Sequence, residues 1–199
     1  RVLRGVVARK ILVTGCSSGF GLAIARAARA RGWDVLGTVR KEADATPLVE
    51  AGCAFALLDL CEQSSVEAFG REARAWADGA LHCLVNNAGT TYPGPTMALT
   101  REDLRAQLEV NAFGHLAVTR ELLEALVDAQ GRVIFISSVS GFVPMPMLGA
   151  YAASKRALEA FAEAFKLEVS ELGVSVCVIQ PGPYDTEIWS TSVPRGERY

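Results

Sequence analysis

Two rhythms of hydrophobic and polar positions alternate along the chain. Short apolar runs at 10–14, 35–39, 54–58, 81–85, 132–137 and 174–179 read as buried strands. Between them, apolar residues recur at helical spacing over 20–31, closed by Gly32, and over 66–77, 101–127 and 149–172. The stretch 101–127 reads as one long helix.

Strands separated by helices of this length cannot be hairpins, because parallel neighbours need right-handed crossovers to return the chain to the same edge. The pattern therefore predicts an α/β fold: a Rossmann-like, doubly wound parallel sheet of six strands between two helical layers. In such sheets a ligand binds beyond the carboxyl ends of the strands, near the point where strand order reverses. Gly15, Arg40, Asp59, Asn86, Ser138 and Pro181 follow the six runs in turn, so the residues with chemical potential gather at that one edge.

Composition narrows the picture. With 199 residues, half of them hydrophobic, the chain suits a single globular domain, 1–199, with a sizeable core. The net charge of −2 and the scattered Lys and Arg argue against a nucleic-acid partner, and Arg1, Arg4, Arg9 and Lys10 read as a solvated start. Cys16, Cys53, Cys61, Cys83 and Cys177 form no C-x-x-C pair, so neither a disulfide framework nor a zinc site is expected, and a reducing cytoplasm fits best. No apolar run approaches the roughly 20 residues that cross a bilayer, and no membrane partner is expected. His82 and His115 stand alone, without metal-ligand spacing, and are expected to be structural.

Two motifs carry chemistry. Gly15, Gly19 and Gly21 sit between the first strand and first helix, where missing side chains let backbone N–H groups approach a pyrophosphate. Ser17 and Ser18 add hydroxyls. Alone, this turn reads almost equally well as a tight connection, but its place after the first strand favours a dinucleotide. At the end of the second strand, Arg40 and Lys41 follow Val39 with no carboxylate beside them. An arginine there accommodates a 2′-phosphate, which predicts NADP(H), against the alternative of a solvated loop residue.

Tyr151 and Lys155, four residues apart, share one helix face with Cβ atoms about 5–6 Å apart. An ammonium about 5 Å from the phenol, at an effective dielectric near 20, favours the phenolate by roughly 3 kcal/mol. That predicts a phenol pKa lowered by about two units toward neutrality. By themselves such a pair, and Ser138 at a strand end, are more often ordinary surface groups. Their company with the glycine turn favours a proton-transfer site.

The strings T-G-C-S-S-G-F-G at 14–21, L-D-L at 58–60, N-N-A-G at 86–89, Asn111, Ser138, Y-A-A-S-K at 151–155 and P-G-P-Y-D-T at 181–186 resemble the short-chain dehydrogenase/reductase family across nearly the whole chain. The resemblance implies a nicotinamide-dependent oxidoreductase. Tyr151 would exchange the proton with the substrate oxygen, Ser138 would hydrogen-bond that oxygen, and Lys155 would hold the nicotinamide ribose. Asn111 would hold a water that relays protons to the lysine. Phe20 joins the glycine turn as a cofactor contact, and Asp59 meets the adenine or, alternatively, caps a helix, with Leu60 beside the ring. Asn87, Ala88 and Gly89 form the floor, while Asn86 is expected to be structural. Pro181, Gly182 and Thr186 would meet the nicotinamide carboxamide. The chain departs from the family pattern at Tyr184, where Val or Ile is usual, and at His82, where an acidic residue is common.

Phe142, Met145, Met147 and Leu148 either line an apolar cleft for a lipophilic ketone or secondary alcohol or pack against the chain's own helices. Compared with the family, the chain stops at Tyr199 before the usual seventh strand and substrate lid. Helices 101–127 and 149–172 match those of a family subunit contact, which predicts a homodimer. The expected function is an NADP(H)-dependent carbonyl reductase or alcohol dehydrogenase; the alternative is a non-catalytic NADP(H)-binding sensor or scaffold.

Overall fold

The structure is a computed structural model that describes residues 8–184. Its strands are β1 (Lys10–Val13), β2 (Asp34–Val39), β3 (Ala54–Leu57), β4 (Cys83–Asn86), β5 (Arg132–Ile136) and β6 (Ser175–Ile179). They form one sheet in the order β3-β2-β1-β4-β5-β6, parallel at every pairing. Strand order reverses between β1 and β4, which opens a crevice at their carboxyl ends.

The helices are α1 (Gly19–Ala30), α2 (Thr46–Glu50), α3 (Gln63–Ala77), α4 (Arg101–Leu108), α5 (Gly114–Glu121), α6 (Leu123–Asp128) and α7 (Gly149–Glu168). Strand periodicity sorts the apolar side chains onto two faces. Leu12, Leu36, Leu84, Val133 and Phe135 pack in one cluster with Phe69 of α3, Val118 of α5, Leu126 of α6 and Leu158 of α7. Ile11, Val13, Val35 and Val85 pack on the other side with Ala25 of α1 and Leu48 of α2. The expected doubly wound, three-layer sheet is what these residues build.

The expected single helix over 101–127 is interrupted twice. Residues Glu109–Phe113 widen into a π turn, and Leu122, at φ −109° and ψ 3°, breaks the path again before α6. The cause is tertiary: Gly114 lies so close to Leu60 that an added Cβ would stand 2.6 Å from its Cβ, and Asn111 within the π turn is fully buried. The helix expected over 149–172 ends as α7 at Glu168, and a 3₁₀ turn at Ser170–Leu172 closes on Gly173 at φ 78°. Between β2 and β3 a 3₁₀ turn at Glu42–Ala45 runs into α2, elements too short for the apolar rhythm to reveal. The expectations for Arg1, Arg4, Thr186, the seventh strand and the substrate lid lie outside the described residues.

Candidate active site

The site begins with the way β1 is tied to β4. Thr14, buried at the end of β1, accepts the N–H groups of Asn87 at 2.9 Å and Ala88 at 3.0 Å on its hydroxyl oxygen. The Asn87 side-chain amide donates in return to the carbonyls of Thr14 at 2.8 Å and Gly15 at 3.1 Å. From the other neighbour, the Thr38 hydroxyl of β2 accepts the Gly15 N–H at 3.1 Å. The glycine turn is thus held from both sides of the strand reversal.

Steric limits explain two of its glycines. Gly15 has φ +70°, and an added Cβ would stand 2.7 Å from the Ala88 Cα. At Gly21 a Cβ would collide with the Gly15 carbonyl and lie 2.5 Å from the Asn87 amide nitrogen. Gly21 therefore backs the turn and does not face the cavity. The N-cap of α1, Ser18, makes no side-chain bond to the helix, and its first turn holds no acidic residue. Its leading N–H groups and positive end suit an anion.

A cavity of about 370 Å³ runs along the carboxyl edge of the sheet. Below β2 and β3 its wall includes Arg40, Asp44, Asp59, Leu60 and Cys61; at the centre stand Gly15, Ser17, Ser18, Gly19, Phe20, Asn87, Ala88 and Gly89. Beyond β5 and β6 it reaches Ser138, Tyr151, Lys155, Pro181, Gly182 and Tyr184. An elongated cavity with an exposed arginine at one end, a glycine turn at a helix N-terminus in the middle and a Ser, Tyr and Lys group at the other fits a dinucleotide. Asp59 is not a helix cap: the N-cap of α3 is Glu62, and Asp59 accepts the Cys61 N–H at 2.9 Å to close a turn.

At the far end, Tyr151 and Lys155 occupy the first turns of α7, with the Lys155 nitrogen 5.8 Å from the centre of the Tyr151 ring. Lys155 is 3% exposed and donates to the Ile136 carbonyl of β5 at 2.8 Å. Burial pushes its ammonium down to about 8, with the Glu159 carboxylate opposing. Burial likewise pushes the Tyr151 phenol up, and the Ser138 hydroxyl only partly opposes it. This reverses the lowered phenol pKa expected from sequence, because burial outweighs the hydrogen bond with Ser138. Ser138 accepts the Ser140 N–H at 3.1 Å on its hydroxyl oxygen, which leaves its own proton to donate.

Asn111 is fully buried and does not reach the cavity wall. Its side chain accepts the Thr90 N–H and donates to the Thr90 carbonyl, both at 2.9 Å, and donates to the Ser154 hydroxyl at 3.0 Å. Ser154 in turn donates to the Tyr151 carbonyl at 2.7 Å. Asn111 thereby ties the loop after β4 to the turn of α7 that carries Tyr151 and Lys155. Gln107 reinforces that loop, donating to the Thr90 carbonyl at 2.7 Å and accepting the Tyr92 N–H at 2.8 Å.

The isolated histidines are structural, as expected. His82 accepts the Lys10 N–H at 3.1 Å. His115 donates from Nε2 to the Ala88 carbonyl at 2.8 Å and is held neutral, its pKa pushed to about 3 by burial and then by the Lys155 charge. Asn86 donates to the buried Thr119 hydroxyl at 2.9 Å, a structural bond between β4 and α5.

The apolar segment after Ser138 divides between the two expectations. Phe142, Met145 and Met147 are 70%, 51% and 45% exposed and stand outside the cavity wall, with the Arg156 guanidinium of α7 lying 5.7 Å from the centre of the Phe142 ring, whereas Leu148 is buried, as the packing alternative expects. Tyr184 meets Phe20 edge-on at 5.3 Å, and both stand on the cavity wall. Thr38, Gln107 and Glu159 carry no motif in the sequence, and Thr14 enters there only as the first residue of the glycine-turn string. A polar residue inside an apolar strand was the available signal for the two threonines.

The family model described as short chain dehydrogenase matches residues 9–196. Over 187 residues the chain is 38% identical to the uncharacterized oxidoreductase YbbO of Escherichia coli (strain K12), covering 93% of this chain and 70% of that protein. It is 38% identical over 200 residues to the NADPH-dependent 3-dehydrocapnine reductase of Ornithobacterium rhinotracheale, covering 96% and 71%. The crystal structure of a short-chain dehydrogenase from Streptomyces avermitilis superposes with a TM-score of 0.86 at 36% identity, over 92% of this chain and 68% of that one.

Proposed function

The chain belongs to the short-chain dehydrogenase family of nicotinamide-dependent oxidoreductases, and from that membership we propose that it uses NADP(H) to interconvert a ketone and a secondary alcohol, with Tyr151 as general acid and base. The observation that carries this reading is one cavity with Ser138, Tyr151 and Lys155 at one end, Arg40 at the other and the glycine turn between. When bound, the nicotinamide supplies or takes up hydride at the substrate carbon.

Everything else falls to the chain's own residues. In the reductive direction the carbonyl oxygen gains negative charge, and the Ser138 hydroxyl is placed to donate a hydrogen bond to it. Tyr151 then gives its proton to that oxygen. A phenol pushed up by burial keeps its proton until the oxyanion forms. Lys155, largely an ammonium at pH 7 with its pKa near 8, helps stabilise the phenolate left behind. Asn111 and Asn87 hold the frame, one at the α7 turn and one at the glycine turn.

NADP(H) is preferred over NAD(H) on the exposed Arg40, with no carboxylate directly after β2, and on the NADPH dependence of the capnine-type relative. A homodimer through the segments 101–127 and 149–172 is supported by Leu104, Phe113 and Phe161, which present apolar surface to solvent, Phe113 and Phe161 lying 6.3 Å apart. A monomer in sedimentation at micromolar concentration would contradict it. The free cysteines suit a reducing, cytoplasmic location.

The test is a panel of ketones and alcohols with NADPH or NADP⁺, followed by absorbance of the reduced nicotinamide. Tyr151→Phe should still bind NADPH while losing at least about 100-fold in kcat, the low end of a general acid's contribution. Substantial turnover by that variant would remove Tyr151 from the role. NADPH binding without turnover of any carbonyl would leave the sensor or scaffold reading in its place.

A further inference from the structure

Glu159 lies one helical turn beyond Lys155 and two beyond Tyr151, on the same face of α7. It is 5% exposed, and a carboxylate so buried is costly unless bonded. Its Oε1 accepts the Ser137 hydroxyl at 2.5 Å and the Gln180 amide at 2.8 Å. Ser137 immediately precedes Ser138, and Gln180 immediately precedes Pro181 on the cavity wall. Gly141, at the end of the turn that follows Ser138, packs so closely that an added Cβ would stand 2.8 Å from the same oxygen. The Ile136 carbonyl that receives Lys155 is one residue before Ser137. One carboxylate thus joins the ends of β5 and β6 to the helix that carries the proton-transfer pair.

We propose that Glu159 is a positioning residue that fixes Ser138 against the Tyr151–Lys155 turn and sets a negative charge one helical turn from Lys155, without itself touching substrate or cofactor. The catalytic part of this rests on the proposed function; the electrostatic part does not. Burial pushes the Lys155 pKa down and Glu159 pushes it back up. The titratable groups around Lys155 are Tyr151 and Glu159 from α7 and His115 from α5, and His115 is neutral. Glu159 is therefore the anion that acts on this ammonium among the described residues. Arg156 lies 3.8 Å from the other carboxylate oxygen, but its side chain is 61% exposed, so solvent weakens its competition for that charge.

The experiment compares Glu159→Gln with Glu159→Ala. The amide keeps an acceptor oxygen and the side-chain volume but loses the charge. In cofactor-free protein, an NMR titration of the Lys155 side chain should show its pKa lower in E159Q than in wild type, and so a smaller ammonium-to-amine ratio at neutral pH. In turnover, the limb of the kcat–pH profile that reports Lys155 should move down by the same amount, and kcat should fall more than KM for NADPH rises. E159A should lose more kcat than E159Q, because only the amide retains the bond to Ser137. Unchanged Lys155 titration in E159Q, or equal kcat losses in both variants, would overturn the proposal.

Should the Glu159 variants not fold, Ser137→Ala keeps the charge and removes one strut. It should leave the Lys155 titration in place while lowering kcat several-fold, and an unaltered kcat would refute the positioning role. Absence of any carbonyl turnover in wild type would count against the proposed function, whereas the Lys155 titration would still decide the electrostatic claim.

Discussion

Replacing Lys155 by methionine should make the protein more stable at neutral pH while removing its chemistry. The ammonium is 3% exposed, and burial pushes it from an ordinary 10.5 down to about 8. At about 1.4 kcal/mol per unit, that displacement is a penalty of about 3 kcal/mol on the folded state at pH 7. The unfolded chain holds this proton up to about pH 10.5 and the folded chain only up to about pH 8. Between those values the unfolded state binds more protons, so the Lys155 contribution to stability rises with pH, and outside the window it is flat. Methionine removes the penalty, but it orphans the Ile136 carbonyl, which costs about 1–3 kcal/mol at any pH. The net gain at pH 7 is therefore about 1 kcal/mol, or about 2–4 °C in Tm for a chain of this size.

The pH dependence is the sharper part of the prediction. By pH 10 the residual penalty in wild type is under about 1 kcal/mol, so the advantage of Lys155→Met should shrink by about 2–3 kcal/mol and change sign. Urea unfolding of both proteins at pH 7 and pH 10 measures this, and the other titrating groups cancel in the difference. The same variant should show no carbonyl turnover. A stability difference that stays constant between the two pH values would mean that Lys155 titrates as a solvated lysine does, and the account of a buried ammonium would be wrong.

Arg40→Asp should weaken NADPH binding by about 10- to 100-fold, the worth of a charge-assisted bond to a phosphate, while changing NADH binding by less than about 3-fold. Fluorescence titration with each cofactor checks it, and equal losses would refute the assignment of Arg40. Asn87→Ala removes two bonds to the carbonyls of Thr14 and Gly15, each worth about 1 kcal/mol. Calorimetry should find a Tm lower by about 4–8 °C, with weaker NADPH binding, and an unchanged Tm would mean that the clamp adds nothing.

What could be read from the sequence follows from how far each interaction reaches along the chain. The parallel sheet was legible because strand and helix rhythms are local, and the glycine turn because φ +70° at Gly15 and the absence of space at Gly21 leave glycine as the fitting residue. Tyr151 and Lys155 were legible as a pair because helix spacing alone puts them on one face. The π turn at Glu109–Phe113 was hidden, since the apolar spacing over 101–127 is compatible with a straight helix and its interruption coincides with Asn111 bonding Thr90 and Ser154. Thr14 is visible in the glycine-turn string, but its bonding role was hidden for the same reason, its partners Asn87 and Ala88 lying on the strand-end segment after β4. The direction of the Tyr151 pKa shift shows why spacing is not enough. Helix geometry supplies the distance to Lys155, but the sign depends on how much water the fold removes from both groups, and that depends on Ile136, Ser137 and Glu159 converging behind the pair. A charge pair read from sequence therefore predicts who meets whom, and the burial around it decides how tightly each of the two holds its proton.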